Sequence, residues 1–396
     1  MAKKTVFDLD LKDKTVLLRT DFNVPVDKSG NISDDTRLRA AMPTISHLLE
    51  NGARVVCASH FGRPKGLRDE AFSLKKVAVR LGELLGRDVF FVKETVGPEV
   101  ESAKKALSSG RIMLVENLRF NPGETKNDPD FARELAKNID CYVNDAFGAS
   151  HRAHASIAAV CDFVPMAVAG RLLLKEIEYL SMALQAPPQK KVLILGGAKL
   201  ADKIPILRNL VDKADHVLIG GAMSYTFLKA LGVPVGASLI EEDQLAACSE
   251  IIAQAAAAGS ELLLPIDHVS AQQIEPEVTI KFVGTGREID QNMMGLDIGP
   301  ETSKMYVERI AAGEMVVWNG PMGVFEIDLF SGGTMEVARA MAGNKGITII
   351  GGGDTVAAVN LAGVAASITH ISTGGGASLE FLSGAELPGI SCLTEK

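Results

Sequence analysis

The sequence lacks several features that would place it in a specialised class of proteins. Its five cysteines are scattered, odd in number and never arranged as CxxC, which argues against a disulfide framework and against a zinc site. No G-x-x-x-x-G-K-[ST] segment occurs, so a Walker-type nucleotide site is excluded, and no G-x-G-x-x-G fingerprint supports a dinucleotide site. We expect the cysteines to be small buried residues in a reducing compartment.

Long apolar runs and an excess of positive charge are also missing. The N-terminal residues contain no apolar stretch of the kind found in signal peptides. The most apolar long window, residues 153–174, contains Asp162 and Pro165 and falls short of a membrane span. The formal net charge of -8 points neither to nucleic acid nor to an anionic membrane. We expect a cytoplasmic protein that holds any anionic ligand through a local basic cluster.

What the sequence does contain is a regular alternation of short apolar runs and longer amphipathic stretches. The 396 residues exceed what one hydrophobic core usually serves, so two domains are expected. The apolar runs lack period-2 alternation, as is typical of strands buried on both faces. They cover residues 15–18, 54–58, 88–92, 111–115, 140–143, 191–195, 216–219, 261–265, 315–318, 346–350 and 370–372. Helical patterns lie between them, for example at 36–51, 74–86, 130–138 and 303–312.

Repeated strand–helix units predict parallel sheets with right-handed crossovers. The predicted fold class is therefore α/β, with two doubly wound parallel-sheet (Rossmann-like) domains joined by a helix and hinge. The boundary lies near residues 170–191, where an amphipathic helical pattern ends at Pro187 and Pro188. We expect an N-terminal domain at 1–170, a linker at 171–188 and a C-terminal domain at 189–381. The alternative for the linker is an ordinary surface helix and loop.

The residues that follow the predicted strands differ between the two halves. Ligands of open α/β sheets bind beyond the carboxyl ends of the strands. In the first half, arginines recur at or near these ends, and arginine binds phosphate and carboxylate bidentately. They are Arg19, Arg37, Arg63, Arg119 and Arg152. In the second half the ends are glycine clusters at 196–197, 220–221, 351–353 and 374–376, which let the backbone approach a phosphate closely.

These patterns predict a small polyanion site in the first half and a nucleotide or polyphosphate site in the second. The alternatives are solvated surface arginines and structural turns. Lys199 and Lys203 are expected on one face of a helix that opens after Gly197, where an anion would separate their charges. Asp354 begins another helix and is either its N-cap or a magnesium ligand beside nucleotide phosphates.

No general base is evident, which suits an acceptor that is already ionised, such as a carboxylate. Catalysis then reduces to positioning and charge neutralisation. Arg37 near the start of a predicted helix is a candidate for stabilising the transferring group. The alternative for Arg37 is an ion pair with Asp34 or Asp35 at that helix start.

Eight segments, in order along nearly the whole chain, resemble the signature stretches of the phosphoglycerate kinase family. They are LRTDFNVP (18–25), SHFGRP (59–64), VENLRF (115–120), GGAK (196–199), DIGP (297–300), WNGPMGVFE (318–326), GGGDT (351–355) and STGGGASLE (372–380). The resemblance implies reversible phosphoryl transfer between MgATP and the carboxylate of 3-phosphoglycerate, giving MgADP and 1,3-bisphosphoglycerate, in glycolysis or gluconeogenesis. It also implies a monomer, with Mg²⁺ entering as MgATP or MgADP and no tightly held organic cofactor.

The resemblance assigns residues to each substrate. The 3-phosphoglycerate site on the first domain would contain Asp21, Phe22, Asn23, Arg37, His60, Phe61, Gly62, Arg63, Arg119 and Arg152. The nucleotide site on the second would contain Lys203, Gly295, Glu326, Gly352, Gly353, Asp354 and Thr355, with Glu326 on the ribose and Asp354 on magnesium. The transferring phosphoryl would be stabilised by Arg37, Lys199, Lys203 and the backbone at Gly375. The tail at 382–396 would pack back on the first domain.

Two other classes of function stay open from the residues alone. One is a dehydrogenase with a dinucleotide in the second domain, which the missing fingerprint disfavours. The other is a non-catalytic relative that binds sugar phosphates or nucleotides as a sensor or scaffold. Such a protein would be expected to carry a damaged site, whereas Arg37, Lys203 and Asp354 are all present.

Overall fold

A computed structural model of the chain describes residues 3–286 and 288–396, which form two compact units. The first unit contains the described residues up to Glu178 together with Glu386–Lys396. The second unit is Tyr179–Ala385. The division lies inside helix α5, which runs over Arg171–Gln185.

The first unit is built on a six-stranded parallel sheet with the order β3-β4-β2-β1-β5-β6. Its strands are β1 (Thr15–Thr20), β2 (Arg54–Ala58), β3 (Val89–Val92), β4 (Ile112–Val115), β5 (Cys141–Asp145) and β6 (Ala167–Ala169). The helices between them are α1 (Thr36–Glu50), α2 (Lys75–Leu85), α3 (Pro98–Ala106) and α4 (Pro129–Ala136). Every residue of β1, β4 and β5 is buried, because helices cover both faces of such a sheet.

The second unit repeats this architecture with a parallel sheet ordered β15-β14-β13-β7-β8-β9. Its strands are β7 (Lys191–Leu195), β8 (His216–Ile219), β9 (Glu261–Leu263), β13 (Met315–Asn319), β14 (Ile347–Gly351) and β15 (His370–Ile371). Its helices are α6 (Ile204–Leu210), α7 (Met223–Ala230), α8 (Leu245–Ala258), α9 (Pro300–Ala312), α10 (Gly332–Gly343), α11 (Gly353–Leu361) and α12 (Gly376–Leu382). The predicted fold class is confirmed.

A small antiparallel sheet in the second unit was not predicted. It has the order β11-β10-β12 and consists of β10 (His268–Ala271), β11 (Lys281–Val283) and β12 (Met294–Ile298). Its segments are short and mixed in polarity, and Phe282 on β11 is exposed. They therefore lack the continuous apolar run by which the parallel strands were recognised.

The last residues of the chain hydrogen-bond to the first unit. Lys4 N–H donates to the Thr394 carbonyl and Thr394 N–H donates to the Ala167 carbonyl, both at 2.8 Å. The short helix α13 (Pro388–Ser391) also contacts the first unit, because Gly389 N–H donates to the Ser150 carbonyl at 2.9 Å. The tail thus extends the edge of the sheet beside β6.

The cysteine prediction is correct for three residues and wrong for two. Cys57, Cys141 and Cys248 are buried, whereas Cys161 and Cys392 are half-buried. The Sγ atoms of this second pair lie 2.7 Å apart, although 231 positions separate the residues. Because the contact arises from the course of the tail, no local sequence spacing could have indicated it. Among the described residues, no helix is both long and apolar enough to cross a membrane.

Candidate functional site

The predicted basic residues of the first unit lie on or beside the carboxyl ends of its central strands. Because the strands are parallel, these ends meet at one edge of the sheet. The positive charges of the arginines repel one another at this edge. Burial, together with repulsion by Arg152, Arg19 and Arg63, lowers the pKa of Arg119 to about 10, against the attraction of Glu124. The structure therefore brings these four arginines into one basic cluster.

His60 belongs to the same cluster. Burial lowers the pKa of His60 well below its usual value, and the positive charges of Arg19, Arg119 and Arg37 act in the same direction. The imidazole is consequently neutral at physiological pH. A neutral histidine offers one N–H donor to an anionic ligand and keeps one acceptor nitrogen.

Side-chain amides shape the loop that carries His60. The Asn23 side-chain oxygen accepts the Gly62 N–H at 2.8 Å. The Asn117 amide accepts the Phe61 N–H at 3.1 Å and donates to the Phe61 carbonyl at 2.7 Å. Arg119 Nη1 donates to the Gly62 carbonyl at 2.6 Å. These bonds join the ends of β1, β2 and β4, so Asn23 and Asn117 fix the loop at the edge where the arginines meet.

Arg37 forms an ion pair with Asp21, not with the acidic residues at its own helix start. Its Nη1 donates to Asp21 Oδ2 at 2.9 Å, and 38% of its side chain is exposed. Asp35 instead accepts from Arg39 at 2.7 Å and from Arg80 at 2.7 Å. The helix-start alternative for Arg37 is therefore wrong: Asp35 pairs with two other arginines, and Asp34 accepts from the N–H and hydroxyl of Thr36.

In the second unit, a cavity of about 410 Å³ opens beyond the carboxyl ends of β7, β13, β14 and β15. The chain adds strands outward from β7 in one direction and from β13 in the other, so the cavity lies at a topological switch point, where ligands bind in open α/β sheets. The residues that line it are Gly196, Gly197, Ala198, Lys199, Asp202, Lys203, Asn319, Gly320, Pro321, Gly352, Gly353, Asp354, Thr355, Gly375, Gly376 and Leu379.

Both predicted lysines line the cavity, but the expectation that they lie on a helix is wrong. Helix α6 begins only at Ile204; Lys199 lies in the irregular segment after β7, and Lys203 is the N-cap of the helix. Pro205 explains the late start, because a proline has no N–H to donate and clashes with the carbonyl four residues earlier inside a helix. In its observed place Pro205 occupies the first turn of α6, where proline is tolerated.

Lys203 is buried and donates through Nζ to the side-chain oxygen of Asn319. Burial lowers the pKa of Lys203, and the carboxylates of Asp202 and Asp354 raise it in opposition. A buried ammonium group beside a cavity is well suited to an anionic ligand, because the ligand replaces the charge stabilisation that water would otherwise give.

Helix α11 presents its N-terminus to the cavity. Its N-cap is Gly352, whose φ of +92° favours glycine, and a Cβ at this position would lie 2.9 Å from Asn319 Nδ2. Asp354 is the second residue of the helix and not its N-cap. The Thr355 hydroxyl accepts the Gly320 N–H at 2.7 Å and joins the helix to the loop after β13. The capping alternative for Asp354 is thus not observed.

Gly295 and Glu326 do not line this cavity. Gly295 lies on β12, where its N–H donates to the Ser238 hydroxyl at 2.9 Å and a side chain would collide with Tyr225. Glu326 is exposed on the loop that follows β13. That loop is joined to β12 because Val324 N–H donates to the Leu296 carbonyl at 2.9 Å. The two predicted nucleotide residues therefore lie on neighbouring segments.

Asn319 is a cavity residue that sequence reasoning missed. It is fully buried, and its Nδ2 has no hydrogen-bond partner within residues 3–286 and 288–396. A buried donor without a protein partner is rare, and because Asn319 lines the cavity, its Nδ2 is available to a bound ligand. Asn319 is the last residue of β13, so the rule that polar residues at strand ends face the ligand site could have identified it.

Comparisons with known proteins agree with this arrangement. The family model for phosphoglycerate kinase matches residues 6–385. Phosphoglycerate kinase from Moorella thermoacetica is 54% identical over 396 residues and that from Thermosipho africanus is 51% identical over 399, with 100% of this chain and at least 99% of each relative covered.

Solved structures show the same relationship. Phosphoglycerate kinase from Coxiella burnetii superposes with a TM-score of 0.90 at 38% identity, and the enzyme from Pyrococcus horikoshii OT3 with a TM-score of 0.84 at 33% identity. Each comparison covers 98% of both chains. The family predicted from the eight segments is confirmed: the chain belongs to the phosphoglycerate kinase family.

Proposed function

We propose that this chain catalyses reversible phosphoryl transfer between MgATP and the carboxylate of 3-phosphoglycerate, giving MgADP and 1,3-bisphosphoglycerate. The observation that carries the proposal is the combination, in one member of this family, of two unlike anion sites. One is an arginine-rich cluster at the edge of the first sheet. The other is a glycine-lined cavity with two lysines at the edge of the second.

The first unit would hold 3-phosphoglycerate. Its phosphate and carboxylate carry permanent negative charge, which the guanidinium groups of Arg63, Arg119 and Arg152 can bind bidentately. Asp21, Asn23 and neutral His60 offer acceptors and donors suited to the hydroxyl group. Phe22, Phe61 and Gly62 contribute through the backbone that carries these side chains. Permanent charges act equally on substrate and transition state, so these groups would chiefly set affinity.

The second unit would hold the nucleotide. Gly352, Gly353 and Thr355 bring the N-terminus of α11 to the phosphates, as helix N-termini do at many phosphate sites. Lys203 would neutralise phosphate charge, and Asn319 Nδ2 would gain the acceptor it lacks. Gly295 and Glu326, on neighbouring segments, would contact the base and ribose.

Asp354 fits the ion that enters with the nucleotide. Among the described residues, no group of three or more histidine, cysteine, aspartate or glutamate side chains could hold a metal by itself. Mg²⁺ usually takes one or two carboxylates and completes its shell with phosphate oxygens and water. Two carboxylates line the cavity, Asp202 and Asp354, which matches that pattern. Asp354 is the better candidate because it lies in the first turn of α11, the helix whose N-terminus would meet the phosphates.

Transfer would require little besides positioning and charge stabilisation. The acceptor carboxylate is already ionised, so no general base is needed. Arg37, Lys199, Lys203 and the backbone N–H groups at Gly375 would stabilise charge that develops on the transferring phosphoryl group. We further propose a monomeric enzyme of glycolysis or gluconeogenesis that acts in the cytoplasm.

A coupled assay with MgATP and 3-phosphoglycerate tests the proposal. Turnover that depends on both substrates is expected, and binding of either ligand without turnover would favour a sensor or scaffold. Lys203→Ala should abolish turnover, whereas Lys190→Ala is a matched control because Lys190 is exposed and pairs with Glu314. Binding of NAD in place of ATP would instead support the dehydrogenase alternative.

A further inference from the structure

A chain of buried polar groups lies beneath the basic cluster. Glu124 is 0% exposed and Ser156 is 1% exposed. The Ser156 hydroxyl and N–H both donate to the Glu124 carboxylate, at 2.6 Å and 3.0 Å. The same hydroxyl oxygen accepts from Nε of Arg19, which is 1% exposed, at 2.9 Å. A buried carboxylate and a buried guanidinium are thus joined through one serine, which satisfies charges that would be costly to bury alone.

The chain continues from Arg19 to His60. Arg19 Nη2 lies 3.2 Å from His60 Nδ1. A guanidinium group has only N–H donors, so Nδ1 must accept this hydrogen bond. The other candidate partner, Asp21 Oδ1, lies 4.0 Å from Nδ1, which is beyond hydrogen-bond distance. The proton of the neutral imidazole consequently lies on Nε2.

We propose that Glu124 and Ser156 are positioning residues that hold the Arg19 guanidinium and thereby fix His60 as the Nε2–H tautomer, which donates to the bound acceptor substrate. The proposal rests on the proposed function for the identity of that substrate, an oxygen-rich anion. The tautomer itself is a property of the free protein.

The geometry explains why a serine stands between two ions. A direct bidentate pair with Glu124 would occupy two N–H groups of the Arg19 guanidinium, whereas the bond to Ser156 occupies only Nε and leaves Nη1 and Nη2 for other partners. The Ser156 hydroxyl instead accepts on one side and donates on the other, and its N–H anchors the second carboxylate oxygen. The orientation of the Arg19 guanidinium is fixed further because Nη1 donates to the Thr20 carbonyl. Only Nη2 is directed to His60, so the orientation of the ring follows from that of the guanidinium.

Nitrogen-15 NMR of histidine-labelled, substrate-free protein measures the tautomer directly. In the unaltered protein, we expect the His60 Nδ1 resonance at the position typical of a non-protonated ring nitrogen, with the resonance assigned by its loss in His60→Asn. In Ser156→Ala, Arg19 Nε loses its acceptor and we expect a mixture of tautomers. Ser150→Ala is the matched control, because Ser150 is equally buried and bonds to Asn144 and the Ala146 carbonyl.

Kinetics test the consequence for the substrate. Ser156→Ala should raise KM for 3-phosphoglycerate by roughly tenfold, the effect of one lost hydrogen bond to a charged ligand, with kcat at saturation nearly unchanged. Glu124→Gln keeps the size of the side chain but loses one acceptor, and should raise KM in the same direction. KM for MgATP should stay constant in both variants. Circular dichroism establishes whether each variant is folded. If Ser156→Ala does not fold, Glu124→Gln is used in its place.

The outcomes separate this proposal from the proposed function. A protonated Nδ1 in the unaltered protein overturns the proposal, and so does a Ser156→Ala variant with unchanged His60 resonances. A shifted tautomer with unchanged KM also overturns it, because the chain would then be purely structural. Absence of turnover in the unaltered protein, with the expected resonance at Nδ1, would contradict the proposed function and leave the tautomer assignment supported.

Discussion

Arg37 lies beside the basic cluster and forms an ion pair with Asp21. It is half-buried, whereas Arg19 and Arg119 are buried and Arg63 and Arg152 are exposed. A cation held at the margin of the acceptor site can meet charge that develops on a transferring group. The pair is partly exposed and contributes on the order of 1 kcal/mol to stability, so the removal of Arg37 should leave the fold intact.

We therefore expect Arg37→Ala to lower kcat far more than it raises KM for 3-phosphoglycerate. An arginine that contacts a transferring phosphoryl group contributes on the order of 10³–10⁵ in rate. Arg63→Ala is the contrasting variant and should mainly raise KM, because it removes a contact with permanent charge. Steady-state kinetics on both variants decide the matter. Near-normal kcat for Arg37→Ala at saturating substrate would contradict a transition-state role.

Asp354 gives a second prediction for a single residue. Asp354→Ala should abolish magnesium-dependent nucleotide binding and leave 3-phosphoglycerate binding intact, because the carboxylate lies at the cavity of the second unit alone. Isothermal titration calorimetry with each ligand measures both affinities. Asp202→Ala is a useful control, since Asp202 lines the same cavity but precedes α6. Equal loss of both ligands in Asp354→Ala would identify a structural role for Asp354.

Most elements of the parallel sheets could be predicted because buried parallel strands are continuous apolar runs. β2, β7 and β8 have the predicted bounds, and α1 ends one residue before its predicted end. The antiparallel sheet could not be predicted, because its short strands carry no such run. The predicted helix does not begin at Lys199, because Pro205 is tolerated only in the first turn of a helix and α6 therefore begins at Ile204.

In the candidate site, too, features set by local sequence could be predicted and contacts made only in the folded chain could not. The arginines and glycines at strand ends could be predicted as ligand-binding residues, because ligands bind at the carboxyl ends of parallel strands. The contacts of Glu124 with Ser156 and of Arg37 with Asp21 depend on loops that meet only in the folded chain. The contact between Cys161 and Cys392 depends on the tail in the same way.

Asp145 links the end of β5 to the start of α5. Its Oδ1 accepts the N–H groups of Leu172 and Leu173 at 2.9 Å and 3.2 Å, while Oδ2 has no hydrogen-bond partner among the described residues. Burial raises the pKa of Asp145 to about 7, and the hydrogen bonds from the backbone N–H groups of Leu173 and Leu172 oppose this rise. The carboxylate is thus less stable as an anion here than in the unfolded chain.

The sign of the resulting pH dependence follows from this raised pKa. Because the folded state binds the proton more tightly, the contribution of Asp145 to stability is full below its unfolded pKa, near 4, and is lost as the pH rises through about 7. Asp145→Asn keeps an acceptor oxygen for the helix N–H groups but cannot ionise. Its free energy of unfolding relative to the unaltered protein should therefore increase between pH 4.5 and 8, by an amount on the order of a few kcal/mol. Urea denaturation at several pH values measures this difference, and a difference that does not vary with pH would contradict it.

At the scale of the whole molecule, the two anion sites belong to two separate units of the chain. The proposed reaction transfers a phosphoryl group from a ligand of the second unit to a ligand of the first. Transfer requires reacting atoms roughly 3–3.5 Å apart and the exclusion of water, since water would otherwise compete as acceptor. Each unit has its own sheet and its own core, so each can move as a body about the segment that joins them.

We expect small-angle X-ray scattering to show a smaller radius of gyration only when both substrates are bound. One ligand alone fills one site and has no group with which to bridge to the other unit, so it gives little differential stabilisation of a closed state. MgADP with 3-phosphoglycerate is a non-reacting pair and allows the measurement at equilibrium. The Arg37→Ala variant, which should bind both ligands, tests whether that arginine contributes to closure as well as to transfer. An unchanged radius in the unaltered protein with both ligands bound would mean that the acceptor and the nucleotide do not meet by domain closure.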